Sequence, residues 1–196
     1  MLLTAATFEG FVREMAREYA RAKIARVGSF DKLPNKIGPT LWRRTLTGLS
    51  SMKFDGTRPG TWMPEAKRRF GAAVEFCQGD ISQDIYLDLV GNENNLRSDE
   101  LNGLFNVCGL NNVCKLASDK KPLLDALGET DPNQADELFK QELGKFIARR
   151  NEIAHALKSD CSSSPDEIGT TINLLMGFGA ALCETLINAA SPPPAS

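Results

Sequence analysis

The sequence predicts an all-α protein, a helical bundle of about five main helices plus short helices. Apolar residues recur at three- and four-residue steps in every long segment, as they do on one face of a helix. No segment sustains the alternation of apolar and polar residues that a half-buried strand shows. Residues that commonly begin and end helices flank the periodic segments, which supports the same fold class.

The predicted helices follow one another along the chain. Seven segments combine helical periodicity with start or stop signals: 7–27, 40–52, 65–77, 98–110, 121–129, 133–157 and 165–190. Gly and Pro residues in 53–64 indicate a loop, and we expect the third helix to begin directly after Pro64. Ser164 is the expected N-cap of the last helix and Pro165 its first residue.

Length and composition predict one domain over 1–190, followed by a disordered tail over 191–196. A chain of 196 residues with 42% hydrophobic residues is long enough to bury a core. Its formal net charge of −2 argues against a protein that binds RNA through an overall basic field. Any RNA contact must therefore come from local patches of positive charge.

The chain is expected to be cytoplasmic, with reduced thiols and no membrane contact. Its start lacks the basic and apolar regions of a signal peptide, and its five cysteines contain no C-x-x-C pair. The uncharged stretch 168–183 is shorter than a membrane span and is interrupted by polar residues. No cofactor is predicted, because "GFGAAL" lacks the third glycine of a dinucleotide loop and the single histidine has no metal ligands at a recognisable spacing.

The penultimate predicted helix carries an arginine on its apolar face. Arg150 follows Phe146 by four residues and Ile147 by three, so it falls on the apolar stripe. A dry, unpaired guanidinium there would cost several kcal/mol, so Arg150 needs a carboxylate, a wet cleft or a bound phosphate. His155 lies about 7.5 Å further along an ideal helix and about 140° around it. Either the helix is distorted near Ala154, or the two residues flank a cleft that another surface, such as a second protomer, completes.

These residues alone leave several interpretations open. In a structural interpretation, Arg150 pairs with an internal Asp or Glu, and His155 is a cation near the negative end of the helix. In a catalytic one, the two residues act together on a phosphate. A Cys–His hydrolase that uses Cys161 also stays open, because catalytic partners need not be sequence neighbours.

The sequence "RRNEIAHA" resembles the signature of the HEPN superfamily, in which an Arg is followed after four to six residues by a His. In this chain Arg150 and His155 take those positions, and Asn151 is the polar residue that follows the Arg in the common form of the motif. "RNEIAH" late in a long helix resembles the RiboL-PSP-HEPN group in particular, as does "NLRSDELNGLFNVCGL" at 95–110. The resemblance implies an HEPN-like helical bundle that forms a homodimer with two copies of the motif at one cleft.

The resemblance also implies an activity. Many HEPN proteins are metal-independent endoribonucleases in toxin–antitoxin or anti-phage defence systems, so RNA is the expected substrate, and an antitoxin or regulatory protein is an expected partner. Carried over residue by residue, Arg150 and His155 form the catalytic pair, and Asn151 orients or supports them. The alternative is a catalytically inactive HEPN module that serves as a dimerisation domain or binds a partner protein or nucleotide.

Further arginines are candidate contacts to RNA. These are Arg149, Arg97, Arg68 and Arg69. Each would supply local positive charge for the phosphate backbone despite the acidic total. A charge run more commonly forms a solvated face, which is the alternative interpretation of these residues.

Overall fold

The fold is all-α, as the sequence predicts. The computed structural model describes residues 1–53, 56, 59–91, 96–155 and 163–191, and these contain nine α-helices, one 3-10 turn (Phe30–Lys32) and no β-strand. Five helices have 14 residues or more: α1 (Leu2–Val27), α2 (Ile37–Ser50), α3 (Pro59–Cys77), α8 (Pro132–His155) and α9 (Pro165–Ala190). The shorter ones are α4 (Tyr86–Leu89), α5 (Ser98–Asn106), α6 (Val113–Ser118) and α7 (Lys121–Leu127). The expectation of about five main helices plus short ones is therefore confirmed.

The third helix and two short helices differ from the sequence prediction, as do the bounds of α1, α2 and α5 by a few residues. The third helix begins at Pro59, so the predicted start after Pro64 is wrong. Pro59 suits the first helical position because an N–H there has no partner within the helix, whereas Pro64, inside the helix, removes one backbone hydrogen bond. The helices α4 and α6 were not predicted, since four and six residues are too few to display a helical period.

The chain packs as two compact units. Unit one comprises Met1–Met15, Glu93–Asn106 and Leu110–Ser196; unit two comprises Ala16–Asn92 and Val107–Gly109. The helix α1 contributes residues to both. A single domain over 1–190 stays a prediction, and of the predicted tail only Ser191 lies among the described residues.

Aromatic rings join α8, α9 and α1 in the core of unit one. Phe139 of α8 stacks on Phe178 of α9 with ring centroids 4.4 Å apart, and Phe8 of α1 meets Phe178 edge-on at 6.0 Å. Further along α8, Leu143 and Ile147 are fully buried. The apolar stripe thus holds one face of α8 against the core, and this packing fixes the orientation of the last turns of the helix.

The start of α9 matches the sequence prediction. The Ser164 side chain accepts a hydrogen bond from the Glu167 backbone N–H, the Glu167 carboxylate accepts one from the Ser164 backbone N–H, and Pro165 is the first helical residue. By length and composition, α9 is the one helix in the described ranges that is apolar enough to cross a membrane. Buried residues make up 44% of its most apolar window.

Unit two has its own aromatic core. Phe30 in the 3-10 turn meets Phe76 of α3 edge-on, with ring centroids 5.5 Å apart. Trp42 of α2 meets Phe70 of α3 in the same way at 5.9 Å. These contacts hold α2 and α3 together within this unit.

Candidate functional site

The last turns of α8 carry the predicted catalytic residues. Arg150 is half-buried and continues the apolar stripe of Leu143 and Ile147, as its spacing predicts. Its guanidinium Nη1 donates a hydrogen bond to the Asn151 side-chain oxygen at 3.0 Å. No carboxylate in the described part of the chain pairs with Arg150. The internal Asp or Glu that the structural interpretation requires is therefore not found among those residues.

His155 is the last residue of α8, and its side chain is exposed. The chain stays α-helical through Ala154, so the helix is not interrupted between Arg150 and His155. In an ideal helix, Ala154 and Asn151 occupy the arc of about 140° that separates the two residues. Ala154 contributes only a methyl group to this arc, and the Asn151 side-chain oxygen accepts the hydrogen bond from Arg150.

Two further candidate RNA contacts belong to unit one. Arg149 forms an ion pair with Glu152 at 3.0 Å, and 29% of its side chain is exposed. Arg97 is exposed and directly precedes α5, where its carbonyl accepts the Leu101 N–H. Of the two, Arg149 shares the last turns of α8 with the predicted catalytic residues.

The other two candidates, Arg68 and Arg69, belong to unit two and differ in their surroundings. Arg68 pairs with Glu65 at 2.7 Å, and both side chains are about half exposed. Arg69 forms an ion pair with Asp88, to which its Nε donates at 3.0 Å, and the two side chains are only 18% and 9% exposed. The hydrogen bond to Asp88 raises the pKa of the Arg69 guanidinium. Arg69 therefore has an established structural partner, whereas Arg68 is a surface cation.

A family match extends over nearly the whole chain. A family model described as RiboL-PSP-HEPN matches residues 1–188. The chain belongs to the RiboL-PSP-HEPN family. No curated protein and no solved structure matches it. The family confirms the resemblance seen in "RRNEIAHA", and the matched range includes Arg150, Asn151 and His155.

Two cysteines of this HEPN-type domain are poorly suited to thiol chemistry. Burial raises the pKa of the Cys108 and Cys114 thiols to about 12, so neither is a ready nucleophile. Cys161, the residue that a Cys–His hydrolase would use, lies outside the described residues. Within the described ranges, no three His, Cys, Asp or Glu side chains come together as a metal-binding group.

A groove beside the motif was not predicted from the sequence. It lies against α7, α8 and α9, has a volume of about 450 Å³, and we call it the α8 groove. Its polar lining residues are Glu142, Lys145, Arg149, Glu167, Thr170 and Thr171. Because three helices contribute to the groove, no local sequence pattern predicts it.

A second groove, of about 600 Å³, lies between α1 and α9 in unit one and is almost entirely apolar. Leu3 and Met176 line it and are 80% and 69% exposed. We call this the α1–α9 face. The sequence signal for it is the absence of charged residues in 1–8 and 168–183.

Proposed function

We propose that this HEPN domain is a metal-independent endoribonuclease with Arg150, His155 and Asn151 as its catalytic residues. The observation that carries the proposal is the environment of Arg150. Its half-buried guanidinium lies on the core stripe, and its partner within the described chain is a neutral amide. A phosphate would supply the missing negative charge and match the planar fork of donors. A cation that served only the fold would be expected beside a carboxylate.

The reaction follows from these residue types. The ribose 2′-oxygen attacks the adjacent phosphorus, the bond from phosphorus to the 5′-oxygen breaks, and the products are a 2′,3′-cyclic phosphate and a 5′-hydroxyl. One proton leaves the 2′-hydroxyl and another is delivered to the 5′-oxygen. Histidine suits these transfers because it exchanges protons near neutral pH. Arg150 binds the phosphate oxygens and stabilises the charge that develops on them, and the Asn151 oxygen positions the guanidinium.

A homodimer gives this chemistry its second proton-transfer group. Each chain has one histidine, so two chains offer one imidazole to accept a proton and one to donate it. The exposed α1–α9 face supports self-association, because large apolar surfaces commonly mark interfaces. A second copy would present the same uncharged surface across a two-fold axis, with no charge to bury on either side.

The biological role that we propose is defence. HEPN nucleases commonly act in toxin–antitoxin or anti-phage systems, and the same assignment here implies a cytoplasmic RNA substrate and an antitoxin or regulatory partner. DNA should resist cleavage, since it lacks the 2′-hydroxyl that attacks the phosphate.

Cleavage of a single-stranded RNA oligonucleotide by purified protein in EDTA tests the proposal. The wild type should leave a 2′,3′-cyclic phosphate, and Arg150→Ala and His155→Ala should each reduce the rate about 100-fold or more. Lys121→Ala is the matched control, because Lys121 is an exposed cation that pairs with Asp125 on α7. Undiminished cleavage by His155→Ala would refute the assignment. A folded wild-type protein that leaves RNA intact would instead indicate the catalytically inactive module.

A further inference from the structure

We propose that the α8 groove binds the nucleobase next to the scissile phosphate and favours a base that carries an exocyclic amino group. This inference rests on the proposed endoribonuclease function, to which it adds a subsite and a base preference.

The position of the groove relative to the motif is the first argument. The α8 residues that line it form one face of the helix, with three- and four-residue spacings and one adjacent pair: Leu138, Glu142, Lys145, Phe146 and Arg149. Arg149 is the last of them and the direct neighbour of Arg150, about 100° away around an ideal helix. If Arg150 holds a phosphate, the end of the groove at Arg149 would therefore lie within the length of one nucleotide from that phosphate.

The size and lining of the groove fit a planar ligand with polar edges. Its volume of about 450 Å³ falls in the range of roughly 300–1,000 Å³ typical of small-molecule sites. Leu138, Phe146 and Leu174 provide apolar surface, and the polar side chains surround it. The Arg149 guanidinium is a planar group of the kind on which unpaired RNA bases stack.

The charges of the groove favour a base over a phosphate. Its two side-chain cations are already paired, Lys145 with Glu142 at 2.7 Å and Arg149 with Glu152 at 3.0 Å, and Glu167 adds a further carboxylate to the lining. An anion entering the groove would meet side-chain cations that already have carboxylate partners, whereas a neutral base needs no positive charge. Carboxylate oxygens accept N–H groups, and a carboxylate has more acceptor sites than one partner fills. Adenine, cytosine and guanine carry an exocyclic amino group that can donate to them, whereas uracil can donate only through its ring N3–H.

Filling the groove tests the inference without touching the motif. Thr170 lines the groove and is exposed, so Thr170→Trp places an indole there at little risk to folding. Asn173→Trp is the matched control, because Asn173 is exposed on the same helix and does not line the groove. The assay is cleavage of RNA with a randomised single-stranded region, followed by sequencing of the bases on both sides of each cut.

We expect the wild type to disfavour uracil about tenfold on one side of the cut, in line with the loss of one hydrogen bond to a charged group. Thr170→Trp should slow cleavage about tenfold and abolish this preference, and Asn173→Trp should change the rate less than about twofold. Cleavage without any base preference, or a Thr170→Trp variant with wild-type rate and preference, would overturn the inference.

Titration of His155→Ala with adenosine and uridine 5′-monophosphate separates this inference from the proposed function. Stronger binding of the adenosine nucleotide, abolished by Thr170→Trp, would support the groove even if the wild type cleaved no RNA. If Thr170→Trp cleaves RNA as the wild type does, the proposed nuclease function stands and the proposed base subsite is refuted. Absence of both binding and cleavage would refute both proposals.

Discussion

Replacing Arg150 with Met distinguishes a guanidinium kept for function from one that supports the fold. Met is an unbranched side chain with a helix propensity close to that of Arg. It can also pack on the apolar stripe of α8, to which the buried Ile147 belongs. If Arg150 serves a phosphate, the substitution removes a half-buried charge that has no carboxylate partner among the described residues. The free energy of unfolding should then stay constant or rise, while RNA cleavage falls about 100-fold or more.

The size of the expected difference follows from the burial of Arg150. The stem of a half-buried arginine already packs against its neighbours, so removing the charged head should raise the free energy of unfolding by at most about 1 kcal/mol. Removing one partner of a buried ion pair would instead lower it by about 3–5 kcal/mol. Arg69→Met provides this comparison within the same protein, since Arg69 pairs with Asp88 and the two side chains are 18% and 9% exposed. We expect it to lower the free energy of unfolding by about 3 kcal/mol.

Urea unfolding followed by far-ultraviolet circular dichroism measures both variants, at one protein concentration because any dimerisation would affect apparent stability. Cleavage of RNA is measured on the same samples. The reasoning is refuted if Arg150→Met lowers the free energy of unfolding by more than about 2 kcal/mol, as a structural pairing would require. A stable Arg150→Met variant that cleaves RNA at the wild-type rate would refute the catalytic role as well.

Other parts of the structure yield further predictions. A methyl group at Gly177 would lie 2.9 Å from the Pro122 carbonyl oxygen, so Gly177→Ala should lower the free energy of unfolding by about 1–3 kcal/mol in the same urea assay; an unchanged value would contradict this close approach. At about pH 8 the Cys108 and Cys114 thiols, with their pKa raised to about 12 by burial, should stay protonated and resist alkylation until the protein unfolds, as mass-spectrometric mapping of labelled peptides will reveal. Met176→Asp should weaken a dimer formed through the α1–α9 face about tenfold or more in sedimentation experiments, and an unchanged dimer would remove this face from the interface.

The sequence was sufficient for features that depend on spacing within one helix. The long amphipathic segments predicted α8 and α9 because many apolar positions repeat at the helical period. The position of Arg150 on the core stripe followed from the same period, and the cap of α9 at Ser164 followed from the Ser-Pro start signal. The helices α4 and α6 were missed because each has less than two turns, over which no period is visible.

Features that join distant segments could not be predicted. Arg68 and Arg69 look equivalent in the sequence, yet one pairs with a residue on its own helix and the other with Asp88, 19 positions away. No periodic pattern relates residues so far apart. The α8 groove has the same origin, since it needs α7, α8 and α9 to be packed together before it exists.

The ion pairs on α8 also limit the number of phosphates that this protein would contact in RNA. Arg149 pairs with Glu152 and Lys145 with Glu142, so these two cations add little net positive charge to the surface beside the motif. Arg150 has no such carboxylate partner within the described chain. Because each phosphate neutralised on a single strand steepens the salt dependence of binding by about 0.7 in logarithmic slope, one or two such contacts per site would give a shallow dependence, of about −0.7 to −1.4. Under the two proposals above, an RNA held by so few phosphate contacts would be positioned largely by a base in the amphipathic α8 groove, because base binding does not depend on released counterions.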